Sequence, residues 1–551
     1  MTAGARLFSD AALAAGRAPA GWAGLRAGFR WQIPPGFTIP EACCDVWARV
    51  APDRVALIDR DAGRRWTYGQ LAEASDRLAN AFGAAGLARG DRVGVLLPQG
   101  AAVILTHLAA QKAGGVALPL FTLFGVDALA FRLRDSGARI VVTDAENLER
   151  LMALAPDLPD LAAVYATAGA RAPVRDLWAD IAAASPVHHP PPLGAEDPAV
   201  MIYTSGTTGS PKGVLHAHRF LIGHLPSMEL THEGFPRPGD RGWTPADWAW
   251  IGGLMDMAMP CLYYGVPLIA QRLRKFDPFE AAHLIAAEGV RNVFMPPTAL
   301  RMMQAAGIAP LALRSVSSGG ESLGAELLDW GRATFGAPVN ELYGQTECNL
   351  CVTQAAGFMA VRPGTMGQPI PGFDVALLDI AGQPVAPGTP GEIAVRRGAA
   401  TMFLGYWNQP EKTAAKFAGD WMRTGDIGVA DGDGYITYVA RDDDIITSAG
   451  YRIGPSEIED CLCGDPDVAM AAVVGLPDPV RTEAVTAFVV LRAGAAWGPE
   501  AEARLIARVR ARVSPHAAPR AVHPVEALPM TATGKIMRRE LRAAWRGDRP
   551  G

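Results

Sequence analysis

Short apolar runs alternate with helical periodicity through most of the chain. Val93-Gly-Val-Leu-Leu97 and Ala138-Arg-Ile-Val-Val142 read as strands, and Ala101 to Lys112 and Val126 to Asp135 as helices. Upstream, Trp66-Thr-Tyr-Gly-Gln-Leu71 leads into a helical pattern that runs through Phe82. This alternation predicts a parallel sheet with helices on its faces. It resumes at Val290-Arg-Asn-Val-Phe-Met295, passes through a helix starting near Thr298, and reaches a strand ending at Ser318-Gly-Gly-Glu321. After Gly364 the texture changes to short strands and turns such as Pro387-Gly-Thr-Pro-Gly391, which predicts a β-rich subdomain. The tail reads as helix (Pro455 to Cys463), strand (Val468 to Val474), strand (Ala484 to Leu491), helix (Pro499 to Val513) and a last strand. Leu505, Ile506, Val509 and Val513 share one face of its second helix.

Two regions depart from this rhythm. Residues 1–40 scatter Trp22, Phe29 and Trp31 among small residues, as an arm packed on the main body would. Residues 155–197 are rich in Ala, Pro and His and read as a surface connection.

Composition narrows the class. A chain of 551 residues exceeds one ordinary core, so two or more domains are expected. Hydrophobic content of 49% with 19% charged residues describes a soluble globular protein. A net charge of −5 and unclustered aromatics give no footprint for nucleic acid. The longest apolar region, Val93 to Phe131, is broken by Pro98, Gln99, His107, Gln111 and Lys112, so no transmembrane segment is expected. Cys348-x-x-Cys351 lacks a second pair, and the seven cysteines read as thiols of a reducing cytoplasm. His188-His189 reads as part of a surface connection, and His216-x-His218 as helix-surface residues.

One stretch carries chemistry by itself. Ala199-Val-Met-Ile-Tyr203 reads as a buried strand and feeds Thr204-Ser205-Gly206-Thr207-Thr208-Gly209-Ser210-Pro211-Lys212-Gly213. Glycines let backbone N–H groups converge, hydroxyls add donors, and Lys212 adds a point charge, a set suited to a phosphate chain. It is not the nucleotide loop that ends in Gly-Lys-Ser/Thr, because Pro211 precedes Lys212 and Gly213 follows it.

Position by position, this stretch resembles the phosphate loop of the acyl-adenylate-forming enzymes. Five further segments are similar to that superfamily's motifs, in its order: Gly319-Gly320-Glu321, Glu341-Leu-Tyr-Gly-Gln-Thr-Glu347, Trp421-Met-Arg-Thr-Gly-Asp426, Arg441 through Gly454, and Thr531 through Arg539. The resemblance covers about Trp66 to Arg539 and points to an AMP-forming acyl-CoA synthetase of the acetyl/medium-chain branch. It implies an α/β fold: a large N-terminal domain of parallel α/β subdomains plus a β-rich subdomain (1–442), and a small mobile α+β C-terminal domain (443–551). ATP, CoA and Mg²⁺ are the implied cofactors. The partners are a small carboxylic acid, ATP and CoA, and a homo-oligomer is compatible with the chain.

Residue roles follow from the same resemblance. Thr204 to Gly209 and Lys212 hold phosphates, and Gly320, Glu321, Glu341, Tyr343, Gly344 and Gln345 belong to segments around the nucleotide. Thr346 touches the α-phosphate and Glu347 holds Mg²⁺. Asp426 accepts the ribose hydroxyls, and Arg441 contacts ribose or phosphate. Asp443 is the hinge, Gly450 and Tyr451 face the pantetheine tunnel, and Arg452 contacts phosphate. Lys535 bridges the attacking carboxylate and the α-phosphate.

Trp250, Ile251, Gly252 and Gly344 line the implied acyl pocket. Acetate-specific relatives carry tryptophan where this chain has Gly344, and a residue with a side chain near Gly252. Both glycines therefore imply room for a medium-chain, branched or aryl acid, and the apolar neighbours Trp250 and Ile251 fit an uncharged tail. Restoring tryptophan at Gly344 is expected to shift preference toward acetate or propionate. The alternatives are a stand-alone adenylating enzyme that loads a carrier protein, a luciferase-type oxygenase, and a non-catalytic nucleotide sensor.

Overall fold

A computed structural model describes residues 2–18, 20–204, 211–321, 323–441, 444–448, 451–478, 481–531 and 535–545, apart from the side chains of Thr447, Tyr451 and Arg452. Among the described residues two large sheets are parallel at heart. In one, Val339–Tyr343, Ser315–Gly319, Asn292–Phe294, Gly242–Trp243, Leu268–Ala270 and Val55–Asp59 lie side by side. In the other, Pro198–Thr204, Val116–Pro119, Arg92–Leu96, Ala138–Thr143, Ala163–Ala166 and Arg175–Asp176 do the same. Strands covered on both faces need no polar side, which is why Ala199 to Tyr203 are all buried.

The helices Ala101–Lys112 and Phe220–Thr231 are apolar nearly all round because both are enclosed. The largest apolar cluster runs through them and joins the two parallel sheets. A third, antiparallel sheet contains Val375–Leu378, Pro390–Arg396 and Trp421–Ala430, the predicted β-rich subdomain. A fourth is built from Ile446–Ser448, Tyr451–Ile453, Val468–Asp478, Thr482–Leu491 and Ala521–Pro524. It has its own core, to which Leu505 and Val509 contribute from helix Pro499–Arg512, with Ile506 and Val513 at its margin. Among the described residues no helix is long and apolar enough to cross a membrane.

Two local expectations are overturned. Residues 155–197 are more than a connection: Ala163–Ala166 and Arg175–Asp176 extend the second sheet, and helix Leu177–Ala183 buries Leu177 and Ile181. His216 and His218 are neither helical nor superficial. His216 lies on strand Lys212–Ala217, His218 follows it, and both are buried. The helix begins only at Phe220, whose ring stacks on His216 at 3.7 Å. Burial holds the His216 ring neutral, with its pKa well below 6.5.

The N-terminal arm is anchored through one carboxyl. Glu229 Oε1 accepts from the main-chain N–H of Leu7 at 2.6 Å and from the Tyr264 hydroxyl at 2.7 Å, and Oε2 accepts from Phe8 N–H at 3.2 Å. Trp22, Leu13 and Phe8 pack nearby against Leu230 and Phe358. Burial raises the Glu229 pKa from 4.5 to about 7, against the pull of those donors. The folded state therefore retains this proton more strongly than the unfolded chain. The associated stability is complete below pH 4.5 and is lost as pH rises to about 7, an amount on the order of 3 kcal/mol. Glu229→Gln should flatten the fall in melting temperature between pH 5 and pH 7.5. An unchanged slope would show that another group controls it.

Candidate active site

The candidate residues of the two parallel sheets gather at the carboxyl ends of their strands, where ligands of open α/β sheets bind. Thr204 ends strand Pro198–Thr204, and Lys212 opens the antiparallel return strand directly opposite it. Ser205, Gly206, Thr207, Thr208 and Gly209 lie outside the described residues. The strands on either side pair antiparallel, a pairing the sequence does not announce. Strand Gly405–Tyr406 pairs with the return strand and brings Tyr406 beneath Lys212. Lys212 Nζ stands 4.9 Å from the centre of the Tyr406 ring, whose hydroxyl donates to Glu347 Oε1 at 2.5 Å. Burial lowers the Lys212 pKa, and the Glu347 carboxylate opposes that shift.

A second group forms around Asp426. Strand Trp421–Ala430 pairs with Ile436–Arg441 so that Asp426 stands opposite Arg441. Asp426 Oδ2 accepts from the Tyr343 hydroxyl and from Gln345 Nε2, each at 2.6 Å, and Arg441 Nη1 lies 3.3 Å from Oδ1. Gln345 also donates to the Thr424 carbonyl at 2.8 Å. Tyr343 closes strand Val339–Tyr343, and Gln345, Thr346 and Glu347 follow it. Glu341, on the same strand, stands apart: it is buried, and that burial raises its pKa to about 8.

Between these groups lies a cavity of about 50 Å³, lined by Trp250, Ile251, Gly252, Gly319, Gly320, Gly344, Gln345, Thr346 and Lys535, among others. A smaller cleft beside it brings Glu321 next to Gly320, Trp250 and Lys535. Gly320 adopts φ +110°, a turn that glycine makes without strain, and the Lys535 Cε lies 3.9 Å from where a Cβ on Gly320 would stand. Lys535 is exposed, and its N–H donates to the Thr531 hydroxyl at 3.0 Å. Asp443 and Gly450 lie outside the described residues. Tyr451 and Arg452 are placed by backbone alone, in strand Tyr451–Ile453.

The two glycines expected to open the acyl pocket are already backed by other atoms. A Cβ on Gly344 would lie 2.2 Å from the main-chain nitrogen of Leu350. A Cβ on Gly252 would meet the Trp250 and Phe294 rings, both at 2.9 Å. Nor is the cavity wall wholly apolar, since Asp256 and Asn349 also line it. Sequence reading missed both residues. The available signal was a lone carboxyl within the apolar run Leu254-Met-Asp-Met-Ala-Met259.

This architecture and its clustered residues define an adenylate-forming enzyme fold, and the chain belongs to the AMP-binding enzyme family: that family's description matches residues 44–407, and the AMP-binding enzyme C-terminal domain matches 457–535. It is 34% identical to the mitochondrial acyl-coenzyme A synthetase ACSM2 of Rattus norvegicus, over 93% of this chain and 92% of that one. It is also 34% identical to the acetyl-coenzyme A synthetase of Bacillus subtilis, over 89% and 87% of the two chains. Among solved structures, an anthranilate CoA ligase in complex with anthranoyl-AMP superposes with a TM-score of 0.85 at 25% identity, covering 93% of this chain and 98% of that one. An acyl-CoA synthetase of Brucella canis gives 0.72 at 36% identity, covering 95% and 96%.

Proposed function

We propose that the protein is an AMP-forming acid–thiol ligase that converts a carboxylic acid, ATP and CoA to acyl-CoA, AMP and pyrophosphate. The observation that carries this reading is the convergence of Lys535, Thr346 and Gly320 on one cavity. Glu347 follows the end of strand Val339–Tyr343, and Tyr343, which closes that strand, donates to Asp426. The named acyl- and acetyl-CoA synthetase relatives support the acid and the thiol.

A carboxylate and an α-phosphate repel each other, so the site must neutralise both and orient them. In the first half-reaction a carboxylate oxygen attacks the α-phosphorus, and the bond from that phosphorus to the bridging oxygen of pyrophosphate breaks. The Lys535 ammonium stabilises the charge that develops between acid and phosphate. It acts electrostatically and takes up no proton. Lys212 and the loop before it hold the departing pyrophosphate. Asp426, prepared by Tyr343, Gln345 and Arg441, accepts the ribose hydroxyls.

Glu347, whose Oε1 accepts from Tyr406, is the residue that would hold Mg²⁺, in the single-carboxylate mode usual for magnesium. When bound, that ion would supply charge neutralisation on the phosphates. In the second half-reaction the CoA thiolate attacks the acyl carbonyl carbon, and AMP leaves. The reading divides the chain at 442/443, with rotation about Asp443 exchanging the Lys535 loop for the Gly450–Arg452 loop.

Pyrophosphate release measured over a panel of acids, with and without CoA, tests the reaction. Release with acid alone and steady turnover on adding CoA are expected. Release that never becomes turnover with CoA would instead favour a carrier-protein acceptor. No release with any acid would remove the enzyme reading.

A further inference from the structure

The cavity that would take the acid has a polar end. Asp256 is 5% exposed and lines it, four residues beyond Gly252 on the same helical segment. That span is about one helical turn. The turn Leu254–Ala258 is π-helical, a widened geometry that recurs where a helix serves a site.

The surroundings of Asp256 are fixed by a short relay. His224 Nδ1 lies 2.8 Å from the Phe220 carbonyl and therefore donates to it, which leaves Nε2 an acceptor. Asn349 gives one N–H to that Nε2 at 3.0 Å and the other to Asp256 Oδ1 at 2.7 Å. Its own Oδ1 remains an acceptor. Burial lowers the His224 pKa to about 4, so the ring brings Asp256 no countercharge although it lies 3.8 Å away. Burial likewise pushes the Asp256 carboxyl well above its ordinary range, a shift that a cationic partner would oppose; even protonated, the carboxyl keeps lone pairs that accept. A carboxyl serving only the fold would have both oxygens bonded within the protein. Among the described residues Asn349 satisfies Oδ1, no hydrogen bond reaches Oδ2, and Asp256 lines the cavity. Leu350, at φ +53° in the left-handed region, is held in a costly conformation directly after Asn349, as a residue constrained by its site would be.

We infer that the acid this enzyme activates carries a hydrogen-bond donor, a hydroxyl or an amine, on the part of its tail that reaches Asp256. This inference rests on the acid-activating reading above and replaces the uncharged tail expected from Trp250 and Ile251. The substrate's carboxylate meets Lys535 and Thr346 at one end of the cavity, and its donor meets Asp256 Oδ2 and Asn349 Oδ1 at the other. A plain alkyl or aryl tail would leave these polar groups buried and unpaired, a strong form of discrimination.

The test compares kcat/KM for hexanoate with its ω-hydroxy and ω-amino analogues, and for benzoate with its para-hydroxy and para-amino analogues. The wild-type protein should favour a donor-bearing member of at least one series by about 10- to 100-fold. Asp256→Leu should reverse that preference toward the plain acid, and Asp256→Asn, which turns a donor toward the cavity, should abolish it. A better amino analogue identifies an ammonium paired with ionised Asp256; a better hydroxy analogue identifies a neutral partner. Plain acids used as well as or better than both analogues by the wild-type protein would overturn the inference while leaving the ligase reading intact. This comparison needs no variant to fold. Failure of every acid to release pyrophosphate would overturn the ligase reading, and the inference with it.

Discussion

Lys535→Ala will lower acyl-AMP formation by about 10²- to 10³-fold, the usual effect of removing one preorganised group that stabilises transition-state charge. Supplied acyl-AMP should still be converted to thioester at close to the normal rate. The split follows from position: Lys535 reaches the cavity next to Gly320 and Thr346, where acid and α-phosphate would meet, and has no assigned part in thiol attack. Its side chain is exposed, so its removal leaves no cavity, and the melting temperature should not change. Pyrophosphate release measures the first half-reaction, and thioester formation from purified acyl-AMP the second. Equal losses in both would refute the division of labour between the Lys535 and Gly450 loops.

What the chain discloses depends on whether a feature is local. The run Ala199 to Tyr203 is legible as a strand because burial on both faces leaves it no polar position. The tail's order of elements is legible because Leu505 and Val509 keep helical spacing. The places of His216 and His218 are not local: His216 is buried beneath the stacked Phe220 ring, and His218 Nδ1 accepts from the Ile39 N–H, 179 residues away. Within the site, resemblance named Asp426 and Tyr343 separately, but their 2.6 Å hydrogen bond exists only through the register of two sheets. Asp256 was visible as an oddity in an apolar run, yet its meaning required Asn349 to reach it from 93 residues away. The two pocket glycines show the same limit. Sequence records the missing side chain, and only packing records what occupies its place.

That distinction decides what Gly344 does. Its Cβ position overlaps the main-chain nitrogen of Leu350 at 2.2 Å, closer than real contacts of this kind come. Main chain cannot swing aside as a rotamer can, and Leu350 is already left-handed at φ +53°. Gly344→Ala should therefore destabilise the protein by at least the roughly 1–3 kcal/mol typical of overpacking. It should also lower activity on short and long acids alike, because Leu350 and Asn349 line the cavity that would move. Gly344→Trp should be worse, and the simple shift toward acetate or propionate should not appear. Gly252→Ala provides the contrast. The atoms nearest its Cβ position belong to the Trp250 and Phe294 rings, at 2.9 Å, and rings can tilt. It should fold, narrow the cavity and favour smaller acids. Melting temperature and kcat/KM across a chain-length series separate the two sites. A stable Gly344→Trp protein with activity moved onto acetate would mean that residues 344–350 repack freely, and that Gly344 serves acid selection and not main-chain packing.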